Sequence, residues 1–266
     1  MGLRPVGLVQ GYCVMGWSWY ATGSPYGSSL FWSGSSTSSQ LSSYGCPHFS
    51  GYGYNQGGAE HRVWGANVEQ TWVSQAWGAG YNAAFRRMVE EAEQVGAHGV
   101  VGIVDSSSHL DERGIREFHV YGTAVVVEEA ERTGAVWTSY AAGERLAKLV
   151  EAGFFPVSVV AGMASIRVWA VCATEILLHG GNDNYVRPGD EIAQISDSEM
   201  QARWVARDRI KAGLGSDLLQ GATFTDFWED IGPGDFERIS ILRGTRVRRF
   251  ADSDPLPVPI PTVVLK

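Results

Sequence analysis

The feature that most constrains this chain is that the same order of elements is written in it twice. Pro5-Val-Gly-Leu-Val-Gln-Gly11 returns as Pro156-Val-Ser-Val-Val-Ala-Gly162, identical at four of seven positions. Both read as short β-strands. After the first comes a helical stretch, Asn67 to Val95, in which Phe85, Met88, Val89, Ala92 and Val95 fall at helical spacing between charged residues. Gly96 stands where a left-handed cap ends a helix, and Gly215 stands in the same place after a second helix. That second helix is expected over Glu199–Leu214, opened by a capping box at Ser196-Asp-Ser-Glu199. Two strands follow each helix: Gly99–Asp105 and Phe118–Glu128 in the first half, Leu218–Phe224 and Ile239–Val247 in the second. Gly122-Thr123 is mirrored by Gly244-Thr245. An ordered recurrence of this kind is what a duplicated supersecondary unit leaves behind.

The spacing agrees. Gly11 and Gly96 are 85 residues apart and Gly162 and Gly215 are 53 apart, so the first half holds an excess of 32. That excess matches an odd segment, for between Arg4 and Glu60 there is no Asp, Glu, Lys or Arg. Its middle is rich in Ser and Gly but also in Tyr, Trp and Phe, which chains without a core lack. Aromatic rings among Ser and Gly fit an adaptable contact loop, a surface for a protein partner, better than a plain spacer. The expected organisation is a first domain at 1–135 with an insertion at about 21–60, a linker helix within 136–153, a second domain at 154–250, and an arm at 251–266. The fold class expected is α+β, each half a β-α-β-β unit with a helix on a small antiparallel sheet.

At Arg87–Glu128 the chain resembles the YbjQ-like family, named for heavy-metal binding. The residues that carry the likeness are Met88, Glu91 and Ala92, then Val95-Gly-Ala-His-Gly-Val-Val-Gly102, then Tyr121-Gly-Thr-Ala-Val125. In the second half only Leu214-Gly-Ser-Asp-Leu-Leu-Gln-Gly221 and Arg243-Gly-Thr-Arg-Val247 remain of it. The resemblance implies a tandem, duplicated form of an α+β domain whose single-domain members assemble through their sheets into homo-oligomeric rings, typically pentamers. A ring of fused pairs, pentameric or pseudo-decameric, is the assembly it implies here.

Chemistry is sparse in the sequence. Cys46, His48 and His61 offer one thiolate and two imidazoles to a soft cation, in a spacing unlike standard zinc patterns and without a fourth ligand. They are the candidate metal residues, yet no tightly held metal and no other cofactor is expected. His98, His109, His119 and His179 are dispersed, and His119, between Phe118 and Val120, belongs on a sheet surface. Cys13 and Cys172 read as small buried hydrophobes. The carboxylates Asp226, Glu229, Asp230, Asp235 and Glu237 read as a solvated hairpin loop. No nucleophile elbow or phosphate-cradling loop occurs, so no catalytic residue is named. A net charge of -8 argues against nucleic acid as the partner. No apolar run is long enough to span a membrane, no secretory signal opens the chain, and three irregularly spaced cysteines suit reduced thiols. A cytoplasmic, non-enzymatic homo-oligomeric scaffold or binding protein is the first expectation. The alternatives are a metal- or small-ligand-binding stress protein with sites at subunit boundaries, and an enzyme with an inter-subunit active site.

Pro255, Pro257, Pro259 and Pro261 alternate with Leu256, Val258 and Ile260 ahead of Thr262-Val-Val-Leu265. Such a chain is extended before it binds, so little entropy is lost when it docks on its own domain or on a neighbouring subunit. Truncation after Ser253 is expected to lower the melting temperature or the native mass. A shortened chain that assembles and melts like the full one would make the arm a mere appendage.

Overall fold

A computed structural model describes residues 2–16, 65–111, 115–128, 134–171, 174, 191–232 and 235–251. The first sheet holds β1 (Leu3–Gly16), β3 (Gly99–Asp111), β4 (Ile115–Val127) and the two-residue β5 (Trp137–Thr138), in the order β1-β4-β3-β5. The second holds β2 (Asn67–Glu69), β6 (Phe154–Trp169), β7 (Leu218–Gly232) and β8 (Asp235–Arg249), in the order β2-β6-β8-β7. Pairing is antiparallel except between β3 and β5. The helices among the described residues are α1 (Thr71–Gln94), the short α2 (Glu144–Glu151) and α3 (Ala193–Leu214). The fold is α+β.

Alternation along β1 shows how its sequence is used. Val9, Gly11 and Cys13 are buried, whereas Leu8, Gln10, Tyr12 and Val14 are exposed, so the described residues cover only one face of the first sheet. α1 supplies the cover. Its small residues let it lie close: a Cβ on Gly11 would meet the main-chain oxygen of Ala84 and one on Gly80 would meet the Phe118 ring. The other flank of α1 reaches the second sheet, and Trp77, Tyr81, Met163, Ile239 and Ile241 share one apolar cluster. The alternate residues of the second sheet, Ala164, Ile166 and Leu242, pack instead against Ala202, Ala206 and Ile210 of α3. Gly162 approaches Ala206 O as Gly11 approaches Ala84 O. The layers therefore run first sheet, α1, second sheet, α3. The outer layers differ, one being a sheet face and the other a helix. A third cluster, Val101, Val125, Trp137 and Leu146, is closed by α2.

Several elements differ from their sequence reading. α3 begins at Ala193 after an Ile192 N-cap without a side-chain cap bond, so Ser196 and Glu199 lie inside the helix. Tertiary bonds replace the capping box: Gln194 donates through Nε2 to Trp169 O at 2.9 Å and accepts from Thr174 Oγ1 at 2.8 Å, while Asn67 Nδ2 donates to Gln194 O at 2.9 Å. The linker helix is shorter than expected, because the chain after Trp137–Thr138 stays drawn out along β3, where Ser139 N–H donates to Val100 O and Ala141 O accepts from Gly102 N–H. The charged stretch read as a solvated loop is strand on both sides of residues 233–234. The insertion and the proline arm lie outside the described residues.

The close approach at Gly11 gives a direct test. A methyl there meets backbone rather than a flexible side chain, and overpacking of this kind costs about 1–3 kcal/mol. Gly11→Ala is expected to melt several degrees below the native chain, while Gly7→Ala, with open space at its Cβ, melts with it. Equal melting curves for both variants would contradict the packing.

Candidate functional site

Where β3 of the first sheet faces β7 of the second, a groove of about 690 Å³ opens, with Asp105, Arg116, Tyr140, Trp228, Glu229 and Arg243 among its walls and Phe227 and Ile241 as apolar lining. Its charged groups are matched across the two halves. Arg243 Nε lies 2.5 Å from Asp105 Oδ2, and Asp105 Oδ1 accepts from the Tyr140 hydroxyl at 2.8 Å. The hydroxyls of Tyr81 and Tyr140 are 2.7 Å apart, extending the network into α1. Burial, followed by the nearby phenol and the Asp105 charge, pushes Tyr81 well above its ordinary range. Burial and then the Asp105 carboxylate do the same to Tyr140. Both phenols therefore remain protonated and act as donors.

Deeper lies a second set. Glu237 is fully buried; Ser165 Oγ donates to its Oε1, and Oε2 has no hydrogen-bond partner. The strand register places Arg167 on one side of it and Glu229 on the other, and Glu229 in turn pairs with buried Arg116. Burial raises the Glu237 pKa to about 7; the bond from Ser165 and the charges of Arg167 and Arg116 oppose the rise, and Glu229 adds to it. On the opposite face of the same sheet, Arg203 holds Asp226 at 2.6 Å and Arg238 lies 2.8 Å from Glu199 and 4.8 Å above the Trp228 ring. Burial works against the Asp226 charge, but bonds from Arg203 and Ser240 outweigh it and the pKa is lowered.

The sequence candidates fare unevenly. Cys46, His48, His61, Cys172 and His179 lie outside the described residues. Cys13 is buried, as read, and His119 sits on the exposed face of the first sheet, 6.2 Å from Tyr12 between ring centres. His98 Nδ1 accepts from Val127 N at 3.1 Å, a structural bond. Among the described residues no three His, Cys, Asp or Glu side chains converge to hold a metal. The buried carboxylates already face guanidinium groups, so the described residues do not fit a resident metal. The buried charge set escaped the sequence reading, because five carboxylates within twelve positions look like surface. The available signal was alternation: Glu237, Ile239 and Ile241 occupy every second position and so share one face of a strand.

Comparison with known proteins matches residues 69–128 to the YbjQ family model, described as "Putative heavy-metal-binding". A UPF0145 protein of Acinetobacter baylyi is 47% identical over 45 residues, 17% of this chain and 41% of that protein. The chain thus spans less than half the length of this curated relative. No solved structure gives a significant match.

Glu237 yields a measurable pH dependence. Its pKa rises from 4.5 to about 7 on folding, so the native state binds more protons than the unfolded state across that window. Stability accordingly falls as pH rises through it, by up to about 3 kcal/mol. Denaturant unfolding at pH 5 and pH 8 is expected to show this loss in the native chain and to lack most of it in Glu237→Gln. Parallel profiles for the two proteins would mean that Glu237 does not titrate in this window.

Proposed function

With residues 69–128 YbjQ-like, we propose that the chain is a non-enzymatic scaffold or binding protein, built from two diverged copies of one β-α-β-β unit and working as a homo-oligomer. Several paired features support the duplication. The strand orders β1-β4-β3 and β6-β8-β7 are the same, with the helix on the corresponding face of each sheet. Gly96 and Gly215 take φ values of 71° and 61° at the helix ends. Gly102 and Gly221, at 61° and 66°, sit at register shifts in the corresponding strands.

The observation that carries the oligomer is a face of the first sheet that no described residue covers. The second sheet buries both its faces, whereas the first leaves Leu8, Tyr12, Val14, Val104 and Tyr121 exposed beside one another. Apolar and aromatic side chains grouped in this way mark a contact surface. The surface is also ordered: Glu117 accepts from Tyr12 at 2.6 Å and from Ser108 at 2.5 Å, and His119 stands between Tyr12 and Tyr121. The groove supports the second reading, a small-ligand site, since its hydroxyls and aromatic rings are open to solvent even though its charges are paired. No helix among the described residues is long and apolar enough to cross a membrane.

Native mass decides the matter. The purified chain is expected to exceed 28.9 kDa by at least a factor of two at micromolar concentration, and Leu8→Glu with Val14→Glu is expected to return it to that value while the fold persists by circular dichroism. A native chain of 28.9 kDa throughout would remove the scaffold reading.

A further inference from the structure

The contact between the two halves contains a motif of which the chain holds one complete and one incomplete copy. In the second half, Arg209 of α3 donates to Met163 O and pairs with Glu69. Glu69 belongs to β2, which lies along the β6 edge facing Ile166, and the next residue, Gln70, donates its N–H to Ser165 O at 2.8 Å. The first half repeats the inner part of this arrangement. Arg87 of α1 donates to Tyr12 O. Arg87 follows Ala84 by three positions as Arg209 follows Ala206, and those alanine carbonyls are the ones that touch Gly11 and Gly162.

The outer part has a counterpart as well, but at the far end of the chain. Gln70 caps α1 at φ -93°, ψ 79°, and Ile192 caps α3 at φ -91°, ψ 83°. Glu69 precedes the first cap and Glu191 precedes the second. Both Arg87 and Glu191 are exposed, and β1 ends its sheet with an edge that no described strand pairs. They cannot meet within one chain, because Arg87 belongs with the first sheet and Glu191 with the outermost helix.

We propose that they meet between chains: α3 of one copy packs on the open face of the first sheet of a second copy, with Glu191 on Arg87. This rests on the oligomeric reading above and gives it an interface. The register follows from the internal contact: Glu191 faces Met15, and Ile192 donates to Val14 O. The outer side of α3 brings Met200 and Trp204, 53% and 65% exposed, toward Leu8, Tyr12 and Val14. Apolar and charged groups are thus complementary across the two faces. The occupant is a second copy of this chain.

Charge reversal tests the pairing. Glu191→Arg and Arg87→Glu are each expected to raise the concentration at which the assembly half-dissociates by about tenfold, and the double variant to recover to within about threefold. Glu191→Arg leaves the Arg87–Tyr12 bond inside the chain untouched, so its effect cannot be laid to misfolding. Weaker assembly in both single variants with recovery in the double variant supports the interface. If the native chain assembles and Glu191→Arg assembles equally well, this interface is wrong while the scaffold reading stands. If the native chain is a monomer, both fall.

Discussion

The helix α1 has to be covered on two sides, and the rest of the structure follows from how that is achieved. Trp77, Tyr81, Ala84 and Met88 make it too apolar to stand on one sheet with its back in water. Its contact with the first sheet depends on absent side chains, with Gly11 and Gly80 admitting backbone and ring to distances that a Cβ forbids. Its contact with the second sheet depends on Met163, Ile239 and Ile241 pointing away from α3. A strand can serve two helices only because its side chains alternate, and β6 uses both faces for that reason. The halves are consequently not beads on a string. The helix of one is core for the other.

Buried charge follows from the same sandwich. Stacking two sheets on either side of a helix brings strand faces together, and residues that would be solvated in a lone domain come to face one another. Arg243 meets Asp105 and Arg116 meets Glu229 across the halves. Removing water from such groups is costly unless each finds a partner, and removal of a single member leaves its partner stranded. Glu237 has one oxygen unbonded, and burial drives it toward neutrality.

What the sequence disclosed and what it hid divide along the line between local and tertiary causes. The helices, the glycines ending them, the hairpins and the YbjQ-like run from Met88 to Val125 are written in spacing and in glycine placement, and these were readable. The start of α3 was not, because Gln194 is anchored by Trp169, Thr174 and Asn67, none of them its neighbours in sequence. β2 was absorbed into a helix because three residues against β6 carry no periodicity of their own. The stretch Asp226–Glu237 was misread because acidic density outweighed alternation. The metal candidates remain where the sequence left them, outside the described residues.

Among the described residues the layers begin with an open sheet face and end with a helix, so one end is not the mirror of the other. Under the proposed interface these unlike ends would meet head to tail, and contacts of that kind either close into a ring or continue without limit. Each chain contributes two sheets, which introduces a question of parity. Whole chains that stack in this way add layers two at a time, so a closed circuit holds an even number of them. Under the proposed assembly, a circuit of five units would not close from whole chains, whereas five chains supplying ten units would. Fusion of two units would have changed the permitted symmetry without altering either unit's contact surface.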